Sequence, residues 1–410
     1  MSVRARSPQT GYARLLLHRS IHAWRRRMHP FLRKVLDATR LTRHGRIAEA
    51  TAAIREAVVS SERAGAHIPG EADDDVIEID AVEVLDPAVD PVVETAATPD
   101  DEGAEGRFFE SSFTGSAGTH AFRLFVPGGC DGEALPLVVM LHGCLQDPDD
   151  FAAGTRMNAI AQEQGFLVLY PAQTQRANGH RCWNWFSPQH QRRGSGEPAL
   201  LAGMTRHILQ THSVDHDRVY VAGLSAGGAM AAILAREYPD LFAAAGVHSG
   251  VVPGAARSVA SALAIMHLGP DAAWPMSPLA PSAAAAAPHG SAALIVFHGD
   301  ADKTVAIANA DAVLASAIAG ARAVATTSEG MTATGERPFR RTVWRRADDP
   351  GAPSVAEHWV VHGAAHAWSG GDASGSFTDP AGPDASREML RFFAEHPRLA
   401  AVDEVSEAPP

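Results

Sequence analysis

The sequence predicts a mostly parallel, doubly wound α/β sheet with helices on both faces. Three observations carry that prediction. Short, wholly apolar runs recur from about residue 107 onward, and helix-like segments alternate with them. One run ends abruptly in "GLSAGG" (223–228), where three glycines crowd a single serine. A strand turning that sharply into a helix is the structural setting of an exposed nucleophile.

The elements follow in order. "PLVVMLHG" (136–143) reads as a buried strand and 149–165 as a helix. "FLVLYP" (166–171) is a second strand and 197–213 a second helix. "DRVYVAGLS" is a strand that meets a tight turn, and "AGGAMAAILAREYP" opens a helix after it. "FAAAGVHSG", "ALIVFHG" and "EHWVVHG" (357–363) are further short strands. Residues 251–290, rich in Ala, Pro and Ser, read as a surface insertion or a passive loop between two of them.

Outside this core the charge is uneven. The chain has 410 residues and a net charge of -12, which argues against a general nucleic-acid binder. Residues 1–60 hold 13 Lys and Arg against 3 acids, whereas residues 61–106 hold 1 Arg against 15 acids. Residues 1–63 therefore read as a basic helical segment, 64–106 as an acidic linker without clear periodicity, and 398–410 as a frayed tail. The predicted catalytic domain spans 107–397. No run is apolar for long enough to cross a bilayer, and "RLLLHRSIHAWRRRMHP" lacks the uninterrupted apolar core of a secretory signal.

A serine hydroxyl needs a base, and the base needs an orienting carboxylate. In a strand–turn–helix setting of this kind they follow the serine in the order acid, then histidine. Ser225 is the predicted nucleophile. "LIVFHGDADKTV" ends a strand with two acids: Asp302 lies further into the loop and is preferred, and Asp300 is the alternative. "VVHGAAHAWSGG" follows the last strand, placing His366 in a loop of small residues and His362 at the strand end. The i,i+4 spacing of the two histidines invites a zinc reading, but the stretch leaves a strand and has no glutamate at the required offset, so no metal is expected. No cofactor is expected either. The oxyanion donors are predicted to be the backbone N–H groups of Ala226 and, in "LHGCLQ", of Cys144, with Gly143 needed in any case for the tight strand exit.

Taken together, "LVVMLHGCLQ", "RCWNWF", "DRVYVAGLSAGGAMAAILAREYPDLFAAAGVHSG", "HGDADKTV" and "HAWSGG" resemble the poly(3-hydroxybutyrate) depolymerase-like esterases, α/β-hydrolases similar to feruloyl and acetylxylan esterases. The resemblance covers roughly residues 107–396. It implies Ser225, Asp302 and His366 as nucleophile, acid and base, and Cys144 and Ala226 as oxyanion donors. It also implies a possible Cys144–Cys182 disulfide and an acyl pocket lined by Trp183, Trp185 and Trp368, although each tryptophan fits a core position equally. Ala365 and Ser369 depart from the Gly and Pro that relatives commonly carry around "HAW".

The resemblance implies an extracellular enzyme, with the cytoplasm as the alternative because no secretion signal is visible. It implies hydrolysis of short-chain hydroxyalkanoate esters or oligomers, since no polymer-binding module follows the domain. Feruloyl or acetylxylan esterase activity is the alternative within the same chemistry, and a non-catalytic, hydrolase-like binding protein is the alternative outside it. The basic segment near residues 11–60 resembles the leader of some members and is a candidate anchor to polyester granules or an anionic surface.

Overall fold

The computed structural model describes residues 106–115, 118–130, 132–270, 292–319, 321–332, 337–349 and 351–398. All fall in the second of the two units into which the chain divides, residues 97–410. The basic segment over 1–63, the acidic linker up to residue 105 and the tail from 399 lie outside the described residues.

The strands are β1 (Arg107–Gly115), β2 (Gly118–Val126), β3 (Leu135–Leu141), β4 (Leu167–Pro171), β5 (Val214–Leu224), β6 (Ala244–His248), β7 (Ala293–Gly299), β8 (Ala323–Met331), β9 (Pro338–Arg346), β10 (Ala356–Val361), β11 (Trp368–Ser369) and β12 (Thr378–Asp379). The first ten form one sheet in the order β1-β2-β4-β3-β5-β6-β7-β10-β9-β8. From β4 to β10 the six central strands run parallel. An antiparallel hairpin extends the sheet at each edge, β1–β2 on one side and β8–β9 on the other.

The central strands read as unbroken apolar runs because each side of the sheet has its own core. In β3, Leu137, Val139 and Leu141 face one cluster while Val138 and Met140 face the other. Helices α3 (Gly196–Thr211), α4 (Ala226–Glu237), α5 (Val259–Leu268) and α6 (Ala308–Ile318) cover the first face. Helices α1 (Pro148–Thr155), α2 (Met157–Gln164) and α7 (Ala385–Ala394) cover the second.

The single helix predicted over 149–165 is in fact α1 and α2. Arg156 breaks it with a left-handed φ of 54°, and its guanidinium is held by the Gly370 carbonyl (3.1 Å) and Asp384 Oδ2 (2.8 Å). Both partners lie more than 200 residues away, so the break carries no local signal. At the insertion, α5 occupies part of 251–270, and 271–291 lies outside the described residues.

Candidate active site

The turn between β5 and α4 explains the glycines around Ser225. Ser225 has φ 58° and ψ -116°, a region that costs an L-residue on the order of 1–3 kcal/mol. A side chain at Gly223 would bring its Cβ to 2.5 Å from the Gly227 carbonyl carbon, and one at Gly227 would lie 2.0 Å from the Leu141 oxygen. The bend therefore needs both positions bare. Gly228 adds a third close approach, 2.9 Å from the Gly223 and His248 carbonyl oxygens. The amino terminus of α4 lies directly after Ser225, so its unsatisfied N–H groups favour negative charge there.

Downstream, the two aspartates of "HGDAD" take different partners. The Asp302 carboxylate is fully buried, and its Oδ2 accepts from His366 Nδ1 at 2.6 Å. Its Oδ1 accepts from the Thr304 and Val305 N–H groups at 2.8 and 2.9 Å. Burial acts to raise its pKa, but contacts with His298 and His366 and the Val305 N–H outweigh it and hold the carboxyl far below the ordinary range. Asp300 instead accepts from His362 Nδ1 and the Gly363 N–H, both at 2.7 Å, on a half-exposed surface. His362 and His366 thus answer to separate carboxylates.

His248 connects the serine turn to the His366 loop. Its carbonyl accepts the Ser225 N–H at 2.9 Å, and its Nε2 accepts the Ser369 N–H at 3.0 Å. Burial pushes the imidazole down to about 3, so it stays neutral, with Nδ1 facing Ser249 Oγ at 3.1 Å. The bond from Ser369 is one that a proline, with no N–H, could not donate. The hydrogen bonds formed therefore link Asp302 to His366 directly, and link Ser225 to the His366 loop through His248.

The opposite wall is the turn after β3. Gly143 approaches closely enough that a Cβ there would lie 3.7 Å from Ser225 Cβ. His142 braces the turn with both ring nitrogens, Nδ1 to the Gly143 carbonyl (2.8 Å) and Nε2 from the Gln173 N–H (3.1 Å). Gln146 accepts the Gly143 N–H at 2.9 Å and donates to Asp150 Oδ2 and the Ser376 carbonyl. Cys144 is joined to Cys182 by a disulfide. The "CWNW" loop is tied in turn to the buried Glu197, whose carboxylate accepts from Asn184 N–H, Asn184 Nδ2 and Gln173 Nε2 at 2.6–2.7 Å.

The three tryptophans named from the sequence are all buried. Trp183, Trp185 and Trp368 are 1%, 7% and 1% exposed, as expected of large apolar rings that gain most from burial. Trp368 stacks on His248 at 5.1 Å and donates Nε1 to Ser386 Oγ at 3.0 Å, so it supports the His366 loop from beneath. The exposed apolar groups beside the site are Leu145 and Phe377, 54% and 42% exposed. Both have left-handed backbones, with φ 70° and 53°. Leu145 follows Cys144, and the Phe377 carbonyl accepts the Trp368 N–H at 2.7 Å.

Sequence reasoning missed His142, Gln146, Glu197, His248 and His298. The available signal was a polar residue closing or following an apolar run, as in "VVMLHG", "AAGVHSG" and "LIVFHG". That signal has no spacing rule, so it points to no partner. Among the described residues no group of three or more His, Cys, Asp or Glu is arranged to hold a metal ion, and no described helix is long and apolar enough to cross a membrane.

Known proteins similar to this chain are depolymerases and esterases. The family described as "Esterase PHB depolymerase" matches residues 120–337. Poly(3-hydroxyalkanoate) depolymerase C of Paucimonas lemoignei is 37% identical over 202 residues, covering 48% of each chain. Feruloyl esterase B of Thermothelomyces thermophilus is 36% identical over 140 residues, covering 34% of this chain and 47% of that one. The chain thus spans about half the length of these curated relatives. Among solved structures, the acetyl xylan esterase from Aspergillus awamori superposes with a TM-score of 0.52 at 19% identity, over 70% of this chain and 99% of that one. The shared architecture is the α/β-hydrolase fold.

Proposed function

Because the chain belongs to the esterase PHB depolymerase family, we propose that it is a serine carboxylic-ester hydrolase working through an acyl-enzyme. The observation that carries this reading is the buried Asp302–His366 hydrogen bond of 2.6 Å, set beside a strained Ser225 turn and tied to it through His248.

Ser225 Oγ attacks the ester carbonyl carbon while His366 Nε2 takes its proton. The tetrahedral oxyanion is received by the N–H groups of Ala226 and Cys144, each donor contributing about 3–4 kcal/mol to lowering the barrier. His366 passes the proton to the departing alkoxide, which leaves as the alcohol. Water then attacks the acyl-enzyme with His366 again as base, and Ser225 recovers its proton as the acid is released. Asp302 keeps Nδ1 of His366 as the donor nitrogen and stabilises the imidazolium.

Short-chain hydroxyalkanoate esters and oligomers are the substrates we favour, on the strength of the depolymerase relative and of the apolar rim at Leu145 and Phe377. Feruloyl esters are the second reading, supported by the feruloyl esterase relative. The Cys144–Cys182 disulfide favours an oxidising, extracellular setting. The excess of basic residues over 1–60 supports that segment as an anchor to polyester or an anionic surface.

A fluorophosphonate should label Ser225 covalently. Ser225→Ala should lose that label and drop kcat on p-nitrophenyl butyrate by on the order of 10⁵-fold. Hydrolysis at the wild-type rate by the Ala variant would end the assignment. Hydroxybutyrate oligomers assayed beside feruloyl esters separate the two substrate readings.

A further inference from the structure

His298 is the penultimate residue of β7, is completely buried, and has no part in the steps above. Its Nε2 lies 2.8 Å from the Val305 carbonyl oxygen and 3.5 Å from Asp302 Oδ2. A carbonyl oxygen only accepts, so Nε2 carries a proton. That N–H therefore sits between the Val305 oxygen and the carboxylate already bonded to His366. The other ring nitrogen, Nδ1, is buried without a hydrogen-bond partner.

The contrast with His142 is informative, because that ring satisfies both of its nitrogens within the fold. A leucine at 298 would fill apolar space without stranding a buried nitrogen. The imidazole at 298 instead presents its Nε2–H to two acceptors of one loop, the Val305 carbonyl at 2.8 Å and Asp302 Oδ2 at 3.5 Å, while the Thr304 and Val305 N–H groups hold Oδ1.

We propose that His298 is a positioning residue for the reaction: its Nε2–H pins Asp302 Oδ2 against His366 Nδ1 and limits how basic that carboxylate becomes. This rests on the reading of Asp302 and His366 given above. The groups facing Asp302 are two imidazoles, His298 and His366, and two backbone N–H groups. Two further imidazoles act on this cluster through space, His248 on the side of the serine turn and His358 on neighbouring β10. Burial holds both of these neutral, at about 3 and about 4, so neither brings a positive charge to the cluster at neutral pH.

Three substitutions test the assignment. Glutamine can place an amide N–H where Nε2 stands, asparagine reaches only as far as Nδ1, and leucine offers no donor. The pH profile of kcat/KM on p-nitrophenyl butyrate is measured for His298→Gln, His298→Asn and His298→Leu, with Tm recorded for each. Leu and Asn should lower kcat/KM by about 10-fold, the scale of one hydrogen bond to a charged group.

Both should also move the acid limb upward by roughly half a pH unit or more, because an Asp302 stripped of its second donor binds the His366 proton more tightly. Gln should return the rate to within about 3-fold of wild type and restore the limb. A Gln variant that matches Leu in rate and limb, or three variants with the wild-type limb, overturns the proposal whatever happens to Tm. Asp302→Asn is run in the same assay. If it retains full activity, the reading of Asp302 has failed rather than the role of His298.

Discussion

A methyl group at Gly227 is the sharpest test of how the nucleophile turn is built. The added carbon would lie 2.0 Å from the Leu141 oxygen, 2.6 Å from the Leu141 carbonyl carbon and 2.7 Å from the His142 oxygen. Ordinary contact begins near 3.4 Å, so relief needs a displacement of about 1.4 Å. Every clashing atom is backbone, and the strand exit that holds these atoms is paired with β5. No flexible side chain can give way. Overpacking of ordinary cores costs about 1–3 kcal/mol, and this site should reach the upper end.

For a domain of this size ~3 kcal/mol corresponds to a Tm loss of roughly 6–12 °C, which leaves the protein folded at 25 °C. Activity should suffer more. Ala226 lies on one side of the contact and Cys144 on the other, and a misplacement of about 1 Å typically costs about 10²-fold in rate. Gly227→Ala should therefore lose two orders of magnitude in kcat on p-nitrophenyl butyrate while retaining a cooperative melt. Gly179→Ala is the control, because a Cβ there meets nothing within 4 Å. A Gly227→Ala enzyme with wild-type kcat and Tm would show that α4 and β3 are not locked together as described.

Two further outcomes are expected. Asp302→Asn should cut kcat by about 10⁴-fold by stabilising the wrong His366 tautomer, whereas Asp300→Asn, which loosens only the half-exposed His362 pair, should cost less than about 10-fold; the reverse ranking in steady-state kinetics would move the acid to Asp300. Acid stability should fall early: His142, His248 and His358 are held by burial at about 4, 3 and 4, against an ordinary 6.5. The unfolded chain takes up protons below pH 6.5 and the folded chain does not, so unfolding free energy should drop by up to ~1.4 kcal/mol per pH unit for each histidine between about pH 6 and 4. Urea midpoints at pH 7.5, 6 and 5 measure this, and an unchanged midpoint across the series refutes it.

The parts of the molecule that could be read from sequence are those where one residue type has a local, steric meaning. The run "LPLVVML" announces a strand buried on both sides, and the bare positions at 223 and 227 announce a turn no side chain permits. The distinction between Asp300 and Asp302 was only partly legible, because it depends on which histidine each meets more than 60 residues later. Nothing near Arg156 signals a break, since the partners that stabilise its left-handed backbone come from the far end of the chain. In the β8–β9 edge hairpin, β8 is exposed along almost its whole length and so lacks the alternation that marks a half-buried strand. The burial of the tryptophans was not legible either, because an aromatic in a polar stretch fits a ligand site and a core equally, and only coordinates show the loop folding its rings inward.

His248 touches both halves of the site with two different atoms, and it does so deep inside the protein, away from any substrate. The Ser225 turn and the loop after His366 are therefore held together from the interior. The far wall is fastened separately, by a covalent link and a buried carboxylate knot. The side chains of Leu145 and Phe377 are exposed and apolar and form neither fastening, so exchanging them leaves both in place.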